Sequence, residues 1–216
     1  MKKQTAAILL TAALVAQPAA AQCLITGEDY GVGASAAIVM EAQSGEVLFA
    51  QNIHEQLPMA STTKIMTALL TLERQDLQEE FTVDNTAILT EGTSMGLQKG
   101  DTVTLYALAG GMLLSSGNDA AGAAAVRLCG SLAGLAREVN RRAASLGMNN
   151  THFVTPSGLD AEDHYSTAYD MALLARAALQ NPLFAEIVAA RRLTVWYGQP
   201  PYARSLLNHN RLLSLY

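Results

Sequence analysis

Apolar positions after Ser61 fall at Ile65, Met66, Leu69, Leu70 and Leu72, a spacing that lines one buried face of a helix. Pro58 interrupts what precedes it, and the pattern fades into the charged stretch 73–80. Before it, Ala34 to Met40 is small and apolar, Ser44-Gly45 marks a turn, and Val47, Leu48 and Phe49 resume, which predicts a β-hairpin. Residues 81–104 alternate briefly at Phe81-Thr82-Val83 and Thr102-Val103-Thr104, with Gly92, Gly96 and Gly100 between them, and predict a small lobe of short strands. Helical patterns follow over 105–114, 120–128 and 132–146, the last stopped by Gly147. A loop over 151–163 leads to a helix over 166–179, capped by Ser166 or Thr167 with Asp170 in its first turns. Pro182 opens a shorter helix ending near Ala190, and Leu193 to Tyr197 is a strand candidate.

Composition narrows the possibilities. The chain has 216 residues, of which 50% are apolar, enough for one domain with a sizeable core. Lys and Arg total 14 against 19 Asp and Glu, and no basic block occurs, which excludes nucleic acid as a partner. Lys2-Lys3, an apolar run from Ala6 to Ala16 and Ala19-Ala20-Ala21 fit a signal peptide over 1–21, cleaved after Ala21. The run is too short to span a membrane. Gln22 stands where a lipoprotein would need a small residue before Cys23. Export is therefore expected, with residues 22–216 as one incomplete domain. Cys23 and Cys129 are the only cysteines, and whether they are bridged is left open. His54, His152, His164 and His209 are scattered without metal-ligand spacing, so neither a metal nor another cofactor is expected.

Two clusters could carry chemistry. Ser61 and Lys64 are three apart, so their side chains share a helix face with Cβ atoms roughly 5–6 Å apart. A lysine there can draw the proton from the hydroxyl if burial lowers its pKa, and the helix N-terminus favours the anion formed in acyl transfer. The ordinary alternatives are a capping serine and a solvated lysine, and the spacing alone is weak. Ser116-Gly117-Asn118 lies between two helices, so its side chains can face a cleft. A hydroxyl there can pass a proton to a leaving amine, and the Asn118 amide can hold a substrate carbonyl and bond the lysine. A helix stop followed by a helix cap explains the same residues structurally.

Both clusters in this order match the acylation layout of penicillin-binding proteins and serine β-lactamases. The chain resembles the low-molecular-weight, serine-type D-alanyl-D-alanine carboxypeptidases. The resemblance rests on Pro-Met-Ala-Ser-Thr-Thr-Lys-Ile-Met-Thr at 58–67, Ser-Gly-Asn-Asp-Ala-Ala at 116–121 and Leu-Gly-Met-Asn-Asn-Thr-His-Phe at 146–153. Pro-Ser-Gly-Leu-Asp at 156–160, His-Tyr-Ser-Thr-Ala at 164–168 and Asn-His-Asn-Arg-Leu-Leu at 208–213 extend it. It implies an α/β (α+β) fold, a sheet flanked by helices plus a mainly helical lobe. It implies Ser61 as the nucleophile toward a peptidoglycan stem peptide, Lys64 as its base, Ser116 as proton relay and Asn118 as a substrate-binding residue. It implies β-lactams as acylating inhibitors of Ser61, and a site of action in the periplasm or at the outer face of the bacterial cytoplasmic membrane and cell wall.

Class A β-lactamase fits less well, because Gly117 stands where that family has aspartate and no Glu-x-x-Leu-Asn stretch occurs. The family's third motif, Lys-Thr-Gly, does not occur in these residues either. Its strand would supply an oxyanion N–H, whose loss costs about 10²–10³ in kcat, and a clamp for the substrate carboxylate. The expectation is a chain truncated before that motif, with the C-terminal strands missing, the hairpin at 34–50 left with an open edge, and weak or no activity. A D,D-endopeptidase of the same family and a non-catalytic wall-binding module are the alternatives. Membrane anchoring stays open.

Overall fold

The computed structural model describes residues 32–215, so the expected signal segment and Cys23 lie outside the described residues. The hairpin forms as the pattern predicts. Strands β1 (Ala37–Met40) and β2 (Val47–Gln51) pair antiparallel, with a bulge at Val39/Met40. Its turn is closed by the Glu41 carboxylate, which accepts from the backbone N–H and hydroxyl of Ser44. The hairpin pairs with no other strand among the described residues. It leans instead on helix α5 (Ala168–Leu179), where Arg176 donates to the carbonyls of Ala42 and Gln43 at 2.7 and 2.5 Å.

Helices α1 (Lys64–Leu72), α2 (Leu105–Ser115), α3 (Asn118–Cys129) and α4 (Leu132–Ser145) form the centre with α5 and α6 (Pro182–Ala189). A short α7 spans Leu212–Leu215. Thr104, Ser131, Thr167 and Asn181 each cap a helix by accepting a first-turn N–H; of the two caps expected for α5, Thr167 does the work. Met66, Leu69, Leu105, Leu108, Leu135 and Leu174 are buried between these helices. The alanines of α3 let it sit close to its neighbours, and at Gly122 a Cβ would stand 2.0 Å from the Ala87 carbonyl oxygen. Cys129 ends α3, free and half-buried.

The small lobe is larger than its pattern suggests. β3 (Glu80–Thr82) and β4 (Thr102–Thr104) pair as expected, but β5 (Arg192–Gly198) and β6 (Pro201–Leu207) join them in a four-stranded antiparallel sheet of order β3-β4-β5-β6. β6 carries no clear alternation, because of its side chains only Leu206 is fully buried. The inner face of β5–β6 covers α2 at Gly110, where a Cβ would meet Leu193 at 2.7 Å.

Candidate active site

The chain enters the first cluster through a bridge between Leu57 and Ser166, each donating its N–H to the other's carbonyl. Ala60 then takes a left-handed conformation (φ 45) and opens a 3-10 turn over Ala60–Thr63. Ser61 therefore lies in this tighter turn, and the α-helix proper begins at Lys64 rather than at the serine. Ser61 caps nothing and is exposed. Its hydroxyl accepts from the Lys64 ammonium at 2.9 Å, and the same ammonium donates to the Ser157 carbonyl at 2.7 Å.

Lys64 is only 2% exposed and has no ion-pair partner among the described residues. Burial lowers its pKa to about 8. At neutral pH roughly a tenth of the amines are therefore free to take a proton. An exposed hydroxyl beside a buried amine is the arrangement that nucleophilic catalysis by serine needs.

The loop facing α1 holds this pair in place. Thr67 donates to the Pro156 carbonyl at 2.7 Å, one residue from the carbonyl that takes Lys64. Gly158 (φ +85) lies so close that a Cβ would stand 1.8 Å from the Ala60 oxygen. His164 ties both sides together. Its Nδ1 accepts from Val154 N–H at 2.9 Å, so the proton sits on Nε2, which donates to Thr63 Oγ1 at 2.9 Å. Burial, helped by His152 and opposed by Asp160, holds the imidazole pKa below its usual range.

The neutral form is the one the fold binds, so this stabilisation is complete above the unfolded pKa of about 6.5 and is lost as pH falls below it toward the folded value. The urea midpoint is expected to fall on acidification from about pH 7 to about pH 5. His164→Gln is expected to lower the midpoint at neutral pH and to flatten that slope. A wild-type slope unchanged in the variant would remove the imidazole from this account.

The second cluster sits where α2 gives way to α3. Ser116 ends α2 in a left-handed conformation (φ 54), and Gly117 precedes α3. Both helices pack against α1. The Ser116 carbonyl accepts from Thr93 Oγ1 at 2.5 Å, while its hydroxyl makes no hydrogen bond to any described residue. Asn118 is buried, and its amide donates to the Glu91 carbonyl at 2.6 Å. The expected bond from Asn118 to Lys64 is not made: the amine donates to Ser61 and Ser157, and the Asn118 amide is turned toward the Glu91 carbonyl. Asn118 Oδ1 is left buried without a partner among the described residues.

Asp119 explains why this turn is rigid. Its carboxylate accepts from the backbone N–H groups of Met95, Gly96, Leu97 and Ala120 and from the Ser94 hydroxyl, all at 2.6–3.0 Å. Sequence reasoning passed over Asp119, His164 and Gly158 as site residues. An aspartate beginning a helix was a usable signal for the first; the other two act across about a hundred residues of chain.

The hydroxyl–amine pair can carry acyl transfer. A family model described as D-alanyl-D-alanine carboxypeptidase matches residues 23–215. D-alanyl-D-alanine carboxypeptidase DacF of Bacillus subtilis is 35% identical over 85% of this chain and 48% of its own length. D-alanyl-D-alanine endopeptidase of Escherichia coli is 29% identical over 92% of this chain and 64% of its own length. This chain thus spans about half to two thirds of the length of these curated relatives. A crystal structure of a D-alanyl-D-alanine carboxypeptidase from Mycobacterium tuberculosis superposes with a TM-score of 0.79 at 34% identity, covering 85% of this chain and 69% of that one.

Proposed function

This chain belongs to the D-alanyl-D-alanine carboxypeptidase family, and on that premise we propose that Ser61 is the nucleophile that removes the terminal D-alanine from a peptidoglycan stem peptide. The observation that carries the reading is the 2.9 Å bond between the Ser61 hydroxyl and a buried lysine amine. Lys64, in its free-amine form, takes the hydroxyl proton as Oγ attacks the carbonyl of the penultimate D-alanine. The C–N bond breaks, the departing amine takes up a proton passed through Ser116, and the acyl group stays on Oγ as an ester. Water then cleaves the ester and regenerates the hydroxyl. Asn118, its amide tied to the Glu91 carbonyl beside Ser116, is the substrate-binding residue of the second cluster. A β-lactam carbonyl would acylate the same oxygen. The acidic, exported chain would meet this substrate outside the cytoplasmic membrane, at the wall.

The test is covalent. After prolonged incubation with a penicillin, mass spectrometry is expected to find one adduct, on Ser61, absent from Ser61→Ala. Its rate of formation is expected to rise about tenfold per pH unit up to about pH 8 and then level off, because only the deprotonated amine accepts the proton. An adduct elsewhere, no adduct at any pH, or a rate flat across this range would overturn the assignment. An endopeptidase reading draws on the Escherichia coli relative, and product analysis with linear against cross-linked peptides separates the two.

A further inference from the structure

Arg204 lies on the inner face of β6, directly across from Val195, with Tyr197 diagonal to it and Tyr202 two residues back on its own strand. Its guanidinium is held between the two rings, 4.7 Å from the Tyr197 centroid and 4.2 Å from that of Tyr202. Arg204 nevertheless makes no hydrogen bond or ion pair with any described residue, and its Nε is buried without a partner. A guanidinium offers five donors in a planar fork that matches a carboxylate; here no described residue takes any of them, the Nε is buried unpaired, and the others are left to solvent or to a ligand.

No carboxylate among the described residues pairs with Arg204: Asp119 is saturated by five donors, and Asp101 accepts from Gln98 N–H at 2.9 Å without reaching it. The cradle is anchored, because the buried Tyr197 hydroxyl donates to the Met95 carbonyl. It is also open, because Tyr202 is 48% exposed. Arg204 Nη1 stands over Gly96, 3.7 Å from where a Cβ would sit, and Gly96 belongs to the loop that holds the Ser116–Asp119 turn. From these observations we infer that Arg204 on its tyrosine pair is an anionic subsite, recognising a carboxylate carried by the peptide upstream of the bond that Ser61 attacks. The substrate class rests on the function proposed above, while the carboxylate preference rests on the unpaired guanidinium.

The experiment uses the full chain carrying Ser61→Ala, so that binding is measured without turnover. The probes are acetylated pentapeptides ending in D-Ala-D-Ala, with one glutamate placed in turn at each of three upstream positions, each against its glutamine twin. One glutamate peptide is expected to bind about tenfold tighter than its twin in calorimetry, as a charge-assisted bidentate contact would give. Arg204→Gln is expected to abolish that preference without weakening the glutamine peptide. Tyr202→Leu, which removes only the exposed half of the cradle, is expected to reduce it. No glutamate position outbinding its twin, a preference that survives Arg204→Gln, or an equal loss for both twins would overturn the subsite. The catalytic reading is judged separately by penicillin labelling of wild type, so an unlabelled chain that keeps an Arg204-dependent preference would fail that reading and retain this one.

Discussion

Lys64→Met is expected to slow acylation of Ser61 by a penicillin about 10²–10⁴-fold, the range that a positioned base contributes. Methionine is chosen because it matches the length of the lysine stem and suits a position only 2% exposed. The fold should tolerate the change. The variant leaves the Ser157 carbonyl without its donor, which costs about 1–3 kcal/mol. It also removes the desolvation of an amine whose burial already shows in its lowered pKa. These effects oppose each other, so the urea midpoint is expected to move little while the rate collapses. The residual rate should also lose its rise toward pH 8, since the titrating amine is gone. A variant that acylates at the wild-type rate, or keeps the wild-type pH profile, would move the base to another residue.

What was legible in the sequence is what short-range periodicity encodes. The spacing of Ser61 and Lys64 forecast a shared face, and the structure places the two 2.9 Å apart. Turn and cap residues forecast the hairpin and most helices to within a few residues. Long-range pairing was not legible. β6 has weak alternation because it is an edge strand whose inner face carries Tyr202 and Arg204 beside the one fully buried side chain, Leu206, so burial imposed little of its period. Joining β4 to β5 rests on a single pair, Thr102 with Gly198, nearly a hundred residues apart. The bond expected between Asn118 and Lys64 gives way to one from the Asn118 amide to the Glu91 carbonyl, a partner 27 residues away that no local pattern reveals. His164 looked like one of four scattered histidines, and its bonds to Thr63 and Val154 exist only once the 154–164 loop folds onto α1.

Gly158→Ala is expected to cost about 2–5 kcal/mol of stability and at least about 10²-fold in acylation of Ser61. Two effects add. At φ +85 a Cβ strains the backbone itself, by roughly 1–2 kcal/mol. The new methyl would also stand 1.8 Å from the Ala60 oxygen and 2.9 Å from Thr63 Oγ1, so the turn carrying Ser61 must retreat by more than an ångström. Misplacement of that size typically costs about 10²-fold in rate. Gly147→Ala separates the two effects. Gly147 has nearly the same conformation, φ +80, but nothing within 4 Å of a built Cβ. It should show the backbone cost alone, about 1–2 kcal/mol, with acylation of Ser61 intact. Equal rates in the two variants would mean that contact with Ala60 does not position the nucleophile, and that Gly158 is retained for its conformation only.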